Sequence, residues 1–337
     1  LLSLSSAHAA SQPKLVVAIV VDQLRSDYLE RFDADFVDGG FRLFTKKGAY
    51  MTRAEYDYCP TITGPGHASF FSGAGPALHG IIGNSWYDKR SGKSTYCCDD
   101  PTVTPVGTKA KAGKMSPRHF IGGTFSDQMR LHFRSKVIGL SIKDRAAILP
   151  AGRKPAGAYW FEPASGNFIS SSYYVDELPA WIQAFNARKL PKSYVGAKWE
   201  RLLPENRYQY PDDSVGEGKL SQEKSATFPH TVVAEKSGKF DAIIPTPYGN
   251  ELLVELAKAA IDGEKLGQGA QPDVLTVSFS SNDYCGHKFG PYSQEVQDKI
   301  TRCGGRADRL ARDPRPDDEK LTELFLLAVG ERPTAEH

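Results

Sequence analysis

The sequence predicts an α/β sandwich built on a mostly parallel sheet, and three observations carry that prediction. First, Lys14 to Asp22 (KLVVAIVVD), Val137 to Ile142 (VIGLSI) and Val274 to Ser280 (VLTVSFS) are continuous apolar, β-branched runs. That is how strands buried on both faces of a parallel sheet read. Second, stretches of helical periodicity alternate with these runs, most clearly Asn250 to Asp262 (NELLVELAKAAID), and such alternation argues a layered α/β fold. Third, Asp22, Lys143 and the Asp283 region directly follow the three runs. Ligands of such folds collect at the carboxyl ends of the strands, so side chains far apart in sequence are expected to share one rim.

The other elements fit around this frame. Residues 26–33 and 41–47 read as helices and 49–57 as a strand. PTITGPG (60–66) is a turn feeding a helix that begins HASFFSGA, with Pro65 near its first turn. Thr124 or Ser126 can cap a helix running to about Phe133. Ala158–Phe161 and Asn167–Tyr174 form a hairpin around Pro163 to Gly166. Two long segments, roughly 85–120 and 150–245, break the alternation and are expected to form a cap over one sheet edge. The stretch 186–245 reads as irregular.

Composition narrows the function classes. With 337 residues there is room for one large domain or two ordinary ones. Lys plus Arg is 42 against 40 for Asp plus Glu, so no global charge recruits nucleic acid or an acidic membrane surface. No apolar run reaches the roughly 20 residues of a spanning helix. Five cysteines at irregular spacing make neither a disulfide scaffold nor a zinc finger. Leu1 to Ala10 (LLSLSSAHAA), with Ala7-His8-Ala9 resembling a cleavage site, reads as the remnant of a secretory signal peptide.

The chemistry-bearing residues each admit a bland and a functional use. Asp22 can cap the next helix or pair with Arg25, or it can ligate a metal. Thr63 can be a simple N-cap, or a hydroxyl in the positive potential of a helix N-terminus, where an alkoxide and an incoming phosphate are favoured. His67 reads as a packed, hydrogen-bonded histidine. Asn84 is a turn residue that can donate its amide to an oxyanion. Lys143 and Arg145 form K-x-R at a strand end, where i and i+2 side chains point the same way. They can clamp phosphoryl oxygens, Arg bidentate and Lys as a point charge. Asp283 and His287, D-x-x-x-H, suit a divalent ion such as zinc.

Taken together, VVDQLRSDYL, PTITGPGHASFFSG, HGIIGNSWYD, SIKDRAAI and SNDYCGHKFGP, in that order from about residue 14 to 297, resemble the alkaline phosphatase superfamily. The likeness is greatest to its periplasmic, phosphate-irrepressible branch. The resemblance implies an alkaline-phosphatase-like α/β/α sandwich with a cap built from insertions. It also implies zinc-dependent hydrolysis of small phosphate monoesters through a phosphothreonine. It carries Thr63 over as nucleophile, with Asp22 and Thr63 on one Zn2+ and Asp283 and His287 on a second. Asn84, Lys143 and Arg145 are carried over as the holders of the phosphoryl oxygens. A monomer in the bacterial periplasm, without nucleic-acid partner or membrane span, is expected.

Two alternatives stay open. A nucleotide pyrophosphatase/phosphodiesterase of the same superfamily shares Thr and two zincs, but lacks the cationic clamp that Lys143 and Arg145 make. A non-catalytic remnant is the other. The family's later Asp-His pair has no match here, and after His287 the only histidine is His337. The fold is therefore expected to be truncated at its C-terminal side. Residues 298–337 form a tail outside the family pattern, rich in Arg, Gly, Ala, Asp and Pro, and expected to follow a shifted reading frame. Zinc occupancy and turnover of this chain are expected to be impaired.

Overall fold

In the computed structural model the placed residues are 13–233 and 238–304. The apolar run after Lys14 forms β1 (Leu15–Val21), followed by α1 (Asp27–Arg31). Next come α2 (Thr63–Ser72) and α3 (Pro76–His79), a hairpin of β2 (Ser85–Asp88) and β3 (Lys93–Tyr96), and the short β4 (Pro105–Val106). α4 (Phe125–Phe133) leads to β5 (Val137–Ser141) and α5 (Asp144–Ala151). The pair β6 (Gly157–Glu162) and β7 (Asn167–Ser171) follows. α6 (Ala180–Ala187), α7 (Leu190–Ser193), β8 (Lys198–Trp199) and β9 (His230–Thr231) lie in the long polar segment. α8 (Pro247–Glu264), β10 (Asp273–Phe279), α9 (Ser281–Phe289) and α10 (Gln294–Gly304) follow.

One six-stranded sheet has the order β1-β10-β5-β6-β7-β4. Its first four strands are parallel, in the register Leu15↔Asp273, Val274↔Val137 and Ile138↔Gly157. β7 and β4 add to it antiparallel. β10, the last strand among the described residues, thus enters between β1 and β5. The carboxyl ends of β1, β10 and β5 stand side by side, which aligns Asp22, the start of α9 and Lys143.

Both faces of this sheet are covered, as the β-branched runs require. On one face Leu140, Tyr159, Phe161, Leu275 and Val277 pack against Leu252, Leu253 and Leu256 of α8. On the other, Ala158 and Trp160 meet Ile148 of α5 and Ala68 of α2. The alternation along β6 is the period-two pattern of a strand between two layers. At Gly139 the approach of α5 is so close that a Cβ would lie 2.3 Å from the carbonyl oxygen of Ala147, so any side chain here would push α5 away from the sheet. A third cluster, with Tyr28, Phe32, Trp199, Phe228, Phe289 and Ile300, joins α1, the long segment, α9 and α10.

Several expectations change. Residues 49–57 form turns and bends and no strand: their side chains are exposed and no ladder takes them up. The hairpin expected in a cap is β6–β7, which extends the central sheet, because β6 pairs in parallel with β5. Within 85–120, only β2–β3 forms a separate two-stranded sheet, while β4 closes the sheet edge. The helix expected at 250–262 starts earlier, at Pro247, and that at 41–47 is a π-turn over Leu43–Lys47. Asp298, Lys299 and Ile300 are buried inside α10. The expected signal remnant and residues 305–337 lie outside the described residues.

Candidate active site

β1 delivers Asp22 to the rim, where its backbone N–H donates to Phe279 O (3.2 Å) and its carbonyl accepts from Asn282 Nδ2 (2.9 Å). α9 runs unusually close to this corner. A Cβ on Gly286 would sit 1.8 Å from Oε1 of Gln23, whose φ is +61°. The start of α9 is further held by Lys299, a fully buried ammonium that donates to Pro245 O, Thr246 O and Ser281 O (2.8–2.9 Å). Burial pushes its pKa down to about 8.

Thr63 is the first residue of α2 and is buried, while Thr61 is exposed. Its Oγ1 lies 3.2 Å from Asp22 Oδ2. The next amide, Gly64 N–H, is one of the free donors of the helix N-terminus and is taken by Asn84 Oδ1 at 2.7 Å. That bond uses the carboxamide oxygen of Asn84 and not its NH2 group. His67, one turn on, has Nδ1 2.8 Å from Thr63 O and Nε2 2.8 Å from Ser278 Oγ on β10. A carbonyl accepts only, so Nδ1 carries the proton and Ser278 donates to Nε2. Burial holds the pKa of His67 below the ordinary histidine range, which keeps the ring neutral in this role.

Lys143 occupies the centre. Its Nζ donates to Asp22 Oδ2 (2.7 Å), to Asp283 Oδ2 in a shorter contact, and to Thr63 Oγ1 (3.2 Å), and it lies 5.0 Å over the Tyr284 ring. It is only 5 % exposed. Burial works to raise the pKa of Asp22, but the charge of Lys143, together with hydrogen bonds from Lys143 and Thr63, outweighs it and holds the carboxyl below its usual range. Buried ion pairs are poor stabilisers, because desolvation consumes the attraction. Three charged groups share one buried point here, an arrangement that stability alone does not account for.

Four of the seven candidate residues thus meet: Asp22, Thr63, Lys143 and Asp283. Asn84 joins them through Gly64. Arg145 does not point alongside Lys143 from an extended chain, because the strand ends at Ser141 and α5 begins at Asp144. Instead its Nη1 donates to the Tyr96 hydroxyl at 3.0 Å. Burial opposes its charge, but Tyr96 and Asp144 raise its pKa further. Asp283 and His287 lie on helix α9, four residues apart on one face, with His287 Nε2 3.4 Å from Asp283 Oδ1. The His287 side chain is 71 % exposed on the rim. Sequence reading passed over Tyr96, Ser278, Asn282 and Lys299, which act through hydrogen bonds to distant segments. Only His67 carried a local signal, its i,i+4 spacing from Thr63.

Asp22 with Thr63 Oγ1, and Asp283 with His287, are oxygen and nitrogen donors of the kind zinc accepts. Each pair stops at two. Among the described residues no group of three or more His, Cys, Asp or Glu could hold a metal ion, and the Lys143 ammonium stands between the two carboxylates. The described residues alone therefore do not complete a zinc site.

Comparison with known proteins agrees with the arrangement of strands. A family model described as type I phosphodiesterase / nucleotide pyrophosphatase matches residues 16–326. Alkaline phosphatase PafA of Elizabethkingia meningoseptica is 46% identical over 308 residues, 90% of this chain and 56% of that protein. Alkaline phosphatase PhoV of Synechococcus elongatus is 43% identical, over 87% of this chain and 54% of its own length. The crystal structure of wild-type alkaline phosphatase PafA superposes with a TM-score of 0.87 at 44% identity, covering 96% of this chain and 61% of that one. The chain spans about half the length of the curated relatives it matches. On this footing, the chain belongs to the type I phosphodiesterase / nucleotide pyrophosphatase family.

Proposed function

We propose that this protein hydrolyses small phosphate monoesters through a covalent intermediate on Thr63. The observation that carries the reading is the Lys143 ammonium, placed between Asp22 and Asp283 and 3.2 Å from Thr63 Oγ1. A cation there stabilises the Thr63 alkoxide at the N-terminus of α2 and the charge that builds on the phosphoryl oxygens. Thr63 gives up its hydroxyl proton to solvent and its Oγ1 attacks phosphorus; the P–Oγ bond forms, and the ester P–O bond breaks as its electron pair leaves on the alkoxide, which takes up a proton from solvent. Water then attacks the phosphothreonine and returns Thr63 with free phosphate. Asn84 Nδ2 and Arg145 supply donors for the non-bridging oxygens. The names of the relatives support the monoester reading, while the family description also covers diesterases.

Two zinc ions belong to the same proposal. Asp22 and Thr63 would hold one and Asp283 and His287 the other, each with further donors from outside the described residues. When bound, zinc supplies Lewis-acid stabilisation of the attacking and leaving oxygens. The site in the bacterial periplasm rests on the Ala7-His8-Ala9 pattern, and no helix among the described residues is long and apolar enough to cross a membrane.

The test compares an aryl phosphate with its methyl phosphodiester on the purified chain, with metal content measured on the same sample. Faster monoester turnover, with 32P or a mass shift on Thr63, supports the reading. A diesterase rate above the monoesterase rate overturns it. Absence of both activities at full zinc occupancy favours the non-catalytic alternative.

A further inference from the structure

Arg145 is presented by an element outside the central sheet. Tyr96 ends β3, and its ring packs against the cluster of Cys97, Cys98, Phe120 and Trp160. Its hydroxyl has a defined double use. It donates to Asp144 Oδ1, which also accepts the backbone N–H of Arg145 at 2.6 Å, and it accepts from Arg145 Nη1 at 3.0 Å. The guanidinium carbon lies 5.9 Å from the Tyr96 ring centroid. The opposite side of the guanidinium is unused: Arg145 Nε is buried and has no hydrogen-bond partner among the described residues.

The same hairpin governs a second phosphoryl contact. Tyr96 pairs across it with Ser85, the residue after Asn84, and Cys97 N–H donates to Asn84 O at 3.0 Å. Asn84 in turn holds Gly64 N–H beside Thr63. A shift at the open end of β2–β3 therefore moves Asn84 and Arg145 together.

We propose that Tyr96 is a positioning residue that selects which edge of the Arg145 guanidinium meets the substrate. This rests on the monoesterase reading. By taking Nη1, the Tyr96 hydroxyl leaves the edge formed by Nε–H and Nη2–H, two parallel donors that match two oxygens of one phosphoryl group. An arginine side chain free to rotate would have to be ordered on binding, which costs affinity. Tyr96 removes that cost beforehand, and the buried Nε–H is the donor left without a partner among the described residues.

The experiment uses the full chain and the variants Tyr96→Phe, Arg145→Ala and the double variant. Tyr96→Phe keeps the ring in its cluster and deletes only the hydroxyl. Exchange of the Arg145 Nε proton is followed by nitrogen-resolved NMR, its signal identified by loss in Arg145→Ala. Tyr96→Phe should speed that exchange by about tenfold or more, as a held group becomes free. In the activity arm, Tyr96→Phe should lower monoester kcat/KM by about tenfold and diester kcat/KM by less than about threefold. In the Arg145→Ala background it should cost less than about twofold, since coupled residues are non-additive. Unchanged Nε exchange, or equal losses with and without Arg145, overturns the proposal. If the unaltered chain turns over neither ester, the monoesterase reading fails, and the exchange measurement alone decides whether Tyr96 holds Arg145.

Discussion

Thr63 and Thr61 are two residues apart and chemically identical, yet only Thr63 is buried, at the first position of α2 and within reach of Asp22 and Lys143. Thr63→Ala is expected to abolish phosphothreonine and to cut turnover by about 10³-fold or more, while Thr61→Ala stays within about threefold. A phosphate found on Thr61 by mass spectrometry would reverse the assignment. Loss of Lys143 or Arg145 to Ala is expected to cost about 10²-fold each in monoester kcat/KM, in line with removing one charge-stabilising donor. At this scale the sequence was most legible in position: Asp22, Thr63 and Lys143 were placed at element ends, and there they stand. It was least legible where a role depends on partners. The K-x-R spacing suggested two cations side by side, but α5 starts between them, and only a contact to Tyr96 across 49 positions of sequence sets where Arg145 goes.

Among the elements, α5 bears most directly on the site, because Lys143 caps it and Arg145 lies in its first turn. Its distance from the sheet is set at Gly139, where a Cβ would meet Ala147 O at 2.3 Å and Ala151 Cβ at 2.7 Å. Gly139→Ala is expected to cost about 1–3 kcal/mol in urea unfolding, the range of an overpacked core, and to lower monoester turnover as α5 is pushed off. Gly286→Ala is the contrast. Its clash is with the far end of the exposed Gln23 side chain, which can swing aside, so stability should change by less than about 0.5 kcal/mol. Equal losses at the two positions would refute this account. Strands β1, β5 and β10 could be read from their β-branched runs, and the pairing of β6 with β7 from its turn residues. The place of that hairpin in the central sheet could not, because alternation looks the same in a cap and in a sheet whose faces are both covered. Asp283 and His287 were expected just after a strand, which is right, but their helical spacing of four was compatible with a loop as well.

Across the whole molecule, the long segment and α10 are joined by groups that titrate. His230 is fully buried, with Nδ1 2.8 Å from Glu223 Oε2 and Nε2 2.9 Å from Glu295 Oε1. Burial works against its charge, but the bonds to Glu295 and Glu223 prevail and raise its pKa above the usual histidine value. A raised histidine contributes stability that is complete below its unfolded pKa and is lost as pH rises through the folded one. Glu217, pushed up to about 7 by burial, keeps its proton in the folded state after the unfolded chain has released it, so its contribution also falls with rising pH. Asp100 is of the other kind. Burial opposes its charge, but bonds from Ser116, Thr102 and Arg118 hold it at about 2, so its stabilisation persists until strongly acid conditions. Stability should therefore decline from about pH 5 to pH 7 as Glu217 ionises, and further as pH rises through the raised pKa of His230. Amide exchange in residues 198–231, corrected for the intrinsic rate, should show more opening at the higher pH. A flat or rising profile over that window would contradict the pin.

Lys299 adds a different consequence. Three backbone carbonyls converge on its ammonium, the kind of oxygen nest in which a free monovalent cation would be caged. Here the cation is covalently tethered to α10, so the joint between α8, α9 and α10 has no ion to lose by dilution and needs none from the solution. The arrangement also has an alkaline character. With its pKa brought down to about 8, the folded chain releases this proton before the unfolded chain does, and the burden of a buried charge lightens as pH climbs beyond that point. The scaffold beneath Asp283 is thus relieved in the alkaline range.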